Sequence, residues 1–167
     1  MQMTAVATAA GPLASCMGNI SPWRCLSAGE ARTLEALCER IIPADQDPGA
    51  AGAGVVCYID RRLAGPFRKF RKTYRCGLAA TEATATAMCG KPFTGLAPDE
   101  QDRVLRAMET GEARGGAWKQ VSAPSFFALV LSHTMQGFYG DPRHGGNRDR
   151  VSWKMLGLPY PPVRGRE

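Results

Sequence analysis

The apolar positions of this chain recur at helical rather than alternating spacing. After Ser27, Leu34, Leu37, Cys38, Ile41 and Ile42 follow one another every three or four residues, and Pro43 ends the run. Ser27 and Glu30 precede it as a Ser-x-x-Glu box, in which each side chain bonds the other's free backbone N–H. The stretch 44–54, ADQDPGAAGAG, reads as a turn-rich connector, and Asp45 and Asp47 lack the further oxygen ligands of a calcium loop. Val55, Val56, Ile59 and Leu63 predict a short helix closed by Gly65, and Pro66 opens a longer helical segment to about Met88. Pro98 with Asp99 and Glu100 marks a fourth start, since acids there meet the positive end of the helix dipole, and Val104, Leu105 and Met108 form its inner face. Past the Gly115-Gly116 break lies the most hydrophobic stretch, with Phe126, Phe127, Leu129, Val130 and Leu131. It is the predicted central core helix, capped near Ser122 and ended by Gly137 or Gly140.

Beyond Gly140 the periodicity dissolves, and Pro159, Pro161 and Pro162 favour an extended, docked tail. No strand run of convincing length and no internal repeat is present. The predicted fold is all-α, with about five helices around one core and an irregular Gly/Pro-rich C-terminal arm. Its divisions are a flexible N-terminal segment (1–26), a helical domain (27–140) and an extended arm (141–167).

Length changes little in this picture, since 167 residues suit one core. Charged or polar residues interrupt every apolar run before 18 residues, so no transmembrane span is expected. The 21 Lys and Arg against 15 Asp and Glu favour an acidic partner without choosing among nucleic acid, lipid headgroups and protein. Five of the cations, Arg68, Lys69, Arg71, Lys72 and Arg75, surround Phe67, Phe70 and Tyr74 on one helix face. The preferred reading is an amphipathic helix that buries the aromatics and solvates the charges. The alternative is a stand-alone basic module binding nucleic acid or an anionic membrane surface. Docking of an acidic protein is a third use of the same charges.

The six cysteines, Cys16, Cys25, Cys38, Cys57, Cys76 and Cys89, form no C-x-x-C pair, which argues against zinc or an iron–sulfur cluster. An even count suits disulfides in an oxidising compartment, and this is preferred over buried free thiols, although fifteen pairings are open. The first 26 residues have no basic n-region, no twin arginine and no long apolar core, so they do not read as an intact signal peptide.

Candidate chemistry concentrates in HTMQGFYGDPRHGGN, residues 133–147, which holds both histidines. Catalysis would need His133 or His144 as base with a nucleophile in reach, and no Gly-x-Ser-x-Gly elbow or Cys-His signature accompanies them. His133, Asp141 and His144 match no familiar metal spacing. Gly145, Gly146 and Asn147 lack the preceding strand of a phosphate loop. Glycines that allow close approach, aromatic anchors at Phe138, Tyr139, Trp153 and Tyr160, and forked donors at Arg143, Arg148 and Arg150 suit a protein–protein surface better.

With "LCERIIPAD" in the first helix, "HTMQGFYGDPRHGGN" and "VSWKMLGLPYP", the chain resembles gluconate 2-dehydrogenase subunit 3 over roughly residues 26–162. The resemblance implies a non-catalytic small subunit that supports folding or stability of a large FAD-containing dehydrogenase subunit of the glucose–methanol–choline type. Such complexes oxidise a sugar, sugar acid or glycoside on the periplasmic side, and electrons usually leave through a cytochrome c subunit. FAD and the catalytic histidine then belong to the large subunit, with no cofactor, metal or catalytic residue in this chain and no nucleic-acid partner. The family's small subunit often brings a twin-arginine leader that carries the complex across the membrane, so a role in export of the catalytic subunit is also implied. A leader removed in processing reconciles that with the residues seen here. The expected partner-facing residues are His133, Gly137, Phe138, Tyr139, Asp141, Pro142, His144, Gly145, Gly146, Asn147 and Trp153.

Overall fold

A computed structural model describes residues 22–159, so most of the predicted N-terminal segment, Cys16, Tyr160, Pro161 and Pro162 lie outside the described residues. Within them the elements are α1 (Ala28–Ile41), α2 (Val55–Ala64), α3 (Arg71–Cys89), α4 (Pro98–Thr110), α5 (Ala123–Tyr139) and α6 (Val151–Met155), with short 3-10 turns between them. The all-α expectation is met, with a sixth helix added by VSWKM near the end.

The predicted starts and stops hold where local chemistry sets them. The box on α1 closes: the Glu30 N–H donates to Ser27 Oγ at 3.2 Å and the Ser27 N–H to Glu30 Oε2 at 2.7 Å. Pro98 opens α4, where the Ala97 N–H donates to Glu100 at 3.0 Å. Ser122 caps α5 and Gly140 ends it.

The third helix differs from its prediction. It begins at Arg71, after a 3-10 turn at Arg68–Phe70, rather than at Pro66. The reason is Arg71 itself, whose guanidinium reaches back to donate to the carbonyls of Leu63 (2.7 Å) and Ala64 (3.1 Å). Those are the orphan acceptors at the end of α2, so the turn that satisfies them interrupts the helix.

Helix α5 is central, packing against α1, α2, α3 and α4. Leu34, Leu37, Ile59, Leu78, Val104, Met108, Phe126, Val130 and Phe138 are fully buried around it. A side chain at Gly77 would run into the Phe126 ring, so glycine is what lets α3 approach α5 this closely. No helix among the described residues is long and apolar enough to cross a membrane.

Two expectations need correction. The end of the segment assigned as flexible is held: the buried Asp60 carboxylate accepts the N–H groups of Arg24 (2.7 Å), Cys25 (2.9 Å) and Leu26 (3.0 Å). The arm is irregular but not extended over 141–155, where two 3-10 turns and α6 coil back onto the helices. The prolines that argued for extension lie only at the far end of this segment.

The preferred disulfide reading finds no pair among the described residues, where Cys25, Cys38, Cys57, Cys76 and Cys89 are free thiols. Geometry explains part of this, since Cys76 and Cys89 share α3. A rise of about 1.5 Å per residue puts them roughly 20 Å apart, far beyond disulfide reach. Cys38 is buried, accepts a hydrogen bond from Thr134 at 3.2 Å, and burial pushes its thiol up to about 12, leaving it unreactive.

Candidate functional site

His133 faces inward from α5 into an aromatic nest built by the basic segment. Its ring stacks on Phe67 at 4.2 Å between centroids, meets Phe70 edge-on at 5.5 Å, and shares a 2.9 Å hydrogen bond between Nδ1 and the Tyr74 hydroxyl. Burial pushes the imidazole down to about 4, and the Arg62 charge, whose guanidinium lies 4.9 Å over the Phe67 ring, pushes the same way. The histidine is therefore neutral at ordinary pH. The aromatics predicted on one face of the basic helix come instead from the turn before α3 (Phe67, Phe70) and from α3 itself (Tyr74), and all three rings meet His133 of α5.

The glycine-rich motif is spent largely on the chain's own closure. Asn147 is fully buried; its Nδ2 donates to the Gly140 carbonyl (2.9 Å) at the end of α5, and its Oδ1 accepts the Ser152 N–H (3.0 Å) at the start of α6. One side chain thus ties two helix ends together. Its left-handed backbone, φ 44°, is tolerable for asparagine and poor for most other residues. Gly146 lies against the Gly137 carbonyl so closely that any Cβ would collide with it, and a Cβ on Gly137 would stand 2.9 Å from the Tyr58 ring. The Arg148 N–H completes the closure by donating to Ala53 at the head of α2, 2.9 Å away.

The sequence-predicted contact residues accordingly fall into two groups. His133, Gly137, Phe138, Gly146 and Asn147 are buried. Tyr139 and His144 are exposed, while Asp141, Pro142, Gly145 and Trp153 are partly covered. Asp141 caps the turn at Pro142–His144 by accepting from the Arg143 backbone (3.0 Å) and side chain (2.7 Å), which holds its carboxyl below the usual range. The Trp153 indole donates to the Tyr139 carbonyl at 2.9 Å, fixing α6 beside the end of α5. No group of three or more His, Cys, Asp or Glu side chains that could hold a metal is present among the described residues.

The outward face of α5 was not anticipated. Leu131, read from sequence as core, is 38% exposed, with Met135 at 42% and Tyr139 at 37%. They stand four residues apart and form one apolar stripe. Beside its upper end, Phe127 and Leu131 line a groove of about 330 Å³ with Ile41 and Leu105, edged by the Arg40–Asp102 ion pair. Near its lower end, α6 and the following residues expose Met155, Leu156 and Leu158. The sequence did carry a signal for this: α5 is apolar almost all round, and such a helix is either covered on every side or leaves an apolar face for a partner.

What the geometry offers is thus a surface for association, with the histidine and the glycines holding the scaffold beneath it. Searches of curated proteins and of solved structures returned no match. The model of one protein family, gluconate 2-dehydrogenase subunit 3, matches residues 28–159, and the chain belongs to that family.

Proposed function

We propose that this chain is the non-catalytic small subunit of a flavin-dependent dehydrogenase complex acting on a sugar, sugar acid or glycoside in the periplasm. Its work is to dock on the large FAD-containing subunit and stabilise it, and a cytochrome c subunit would take the electrons onward. Support comes from the family to which the chain belongs and above all from one observation: the Leu131–Met135–Tyr139 stripe, an apolar face on the central helix left open to solvent. Large exposed apolar side chains in a row are uncommon on a monomer and common at the centre of an interface.

The test is co-expression with the large flavoprotein subunit. The expected result is a stable 1:1 complex that carries a flavin absorbance spectrum, with the large subunit yielding less folded protein when expressed alone. Sugar-dependent dye reduction by the isolated small chain would overturn the proposal, as would failure of the two chains to co-purify.

A further inference from the structure

The charge of this molecule is concentrated in one place. Seven of its 21 cations lie between Arg61 and Arg75 with no acid among them, which leaves 14 cations against 15 acids in the rest of the chain. Four of the seven are engaged by the fold: Arg71 closes the end of α2, Arg62 and Lys69 lie over the Phe67 and Phe70 rings, and Arg75 stands 3.8 Å from Glu30. Arg61, Arg68, Lys69 and Lys72 are exposed, and no ion pair within the described residues reaches them.

This basic face adjoins the apolar stripe. Phe67 and Phe70 pack on His133 of α5, and the Tyr58 hydroxyl of α2 donates to Gln136 at 3.2 Å, which in turn donates to Ser132 at 3.1 Å. At about 100° per residue, Ser132 and Gln136 occupy the strip of α5 between the His133 edge and the Leu131–Met135 face. Apolar centre, polar strip and charged margin therefore follow one another across a single surface, the layout of a protein–protein interface with its rim.

We infer that the Arg61–Lys72 face is the electrostatic rim of the docking surface and meets an acidic patch on the large dehydrogenase subunit. The inference rests on the proposed function and adds the charge of the partner and the role of the cations. Two other anionic partners fit the geometry less well. Insertion at a membrane surface needs apolar side chains on the charged face, and single-stranded nucleic acid needs aromatic platforms. The aromatics of this segment are instead packed against His133. Rim charges act mainly on encounter: they raise the association rate and make it sensitive to salt, with little influence on dissociation.

The experiment compares the full chain with a variant carrying Arg61→Gln, Arg68→Gln, Lys69→Gln and Lys72→Gln, checked for unchanged helicity by circular dichroism. Association with the purified large subunit is followed at 50 and 300 mM NaCl. The variant is expected to associate about tenfold more slowly at the lower salt, to lose most of its salt dependence, and to dissociate within about twofold of the wild-type rate. Equal association rates at both salts for the two proteins would overturn the rim while leaving the complex itself intact. No association by the wild type would sink the proposed function as well, so the two failures are distinct. Parallel measurements with phosphatidylglycerol vesicles and a DNA duplex supply the other outcome. If the substitutions abolish binding there and leave complex kinetics untouched, the face serves those anions and the inference is wrong.

Discussion

On one side of α5, Gly137 closes against Tyr58 and against Gly146 of the returning arm; on the other, Leu131, Met135 and Tyr139 stand in solvent. The inward side contains the most distinctive letters of the chain and does architectural work. Its residues are specified individually, because a carbonyl leaves no room for a Cβ and one asparagine must satisfy two helix ends. The outward side is specified only as apolar, and its letters are ordinary. Distinctive sequence here marks where the fold is tightly constrained, and the exposed apolar stripe proposed to meet a partner is the less conspicuous face of the same helix.

Substitution at Gly146 should break this contrast most severely. Gly146→Ala places a methyl group on the Gly137 carbonyl, which no side-chain rotation can relieve. A loss of about 3 kcal/mol is expected, lowering the melting temperature of the isolated chain by roughly 6–12 °C. An unchanged thermal transition would mean that the arm does not seat as described. The outward face should respond the other way. Leu131→Ser with Met135→Ser is expected to leave stability within about 0.5 kcal/mol but to weaken the complex with the large subunit at least about tenfold. Titration calorimetry on the double variant decides the matter, since undiminished affinity would place the contact elsewhere.

A smaller effect sharpens the role of His133. Its folded-state imidazole titrates near 4, below the ordinary 6.5, because burial disfavours the charged form. The unfolded chain therefore binds the proton first as pH falls. The stability contributed by the neutral ring is complete above pH 6.5 and is lost progressively as pH drops from 6.5 toward 4. Hydrogen bonds from Arg40 and Arg143 hold the Asp102 and Asp141 carboxyls below their usual range, so their contributions fade only at lower pH. Urea unfolding across pH 4–7 should show a steeper decline for the wild type than for His133→Gln, and parallel profiles would remove the histidine from the account. The smallest change belongs to the far end of the molecule. Ser27→Ala opens the box at the head of α1 and should cost about 1 kcal/mol, visible as a shift in the denaturation midpoint with no change in slope.

The local rules were legible from the residues alone. Ser27 with Glu30, Gly65, Pro98, Ser122 and Gly140 bound helices in the structure as they do on paper. Capping, proline geometry and glycine termination act over one turn, so a single segment contains the whole cause. The delayed start of α3 was not legible, because it depends on Arg71 reaching two carbonyls in another helix. Nor was the three-amide clasp of Asp60, which sits in a stretch, YIDRR, that gives no hint of a buried carboxylate.

The sequence by itself determined the helical class, those helix ends that are set within one turn, the concentration of charge and the motif by which the family is recognised. Tertiary structure decided which face of each element meets solvent. Helical periodicity fixes the angles between side chains on one element, but how that element is rotated in the fold depends on what packs against it. His133 and Leu131 lie two residues apart on one apolar helix, and only the packing of α2 and α3 against α5 puts the first inside and the second on the surface.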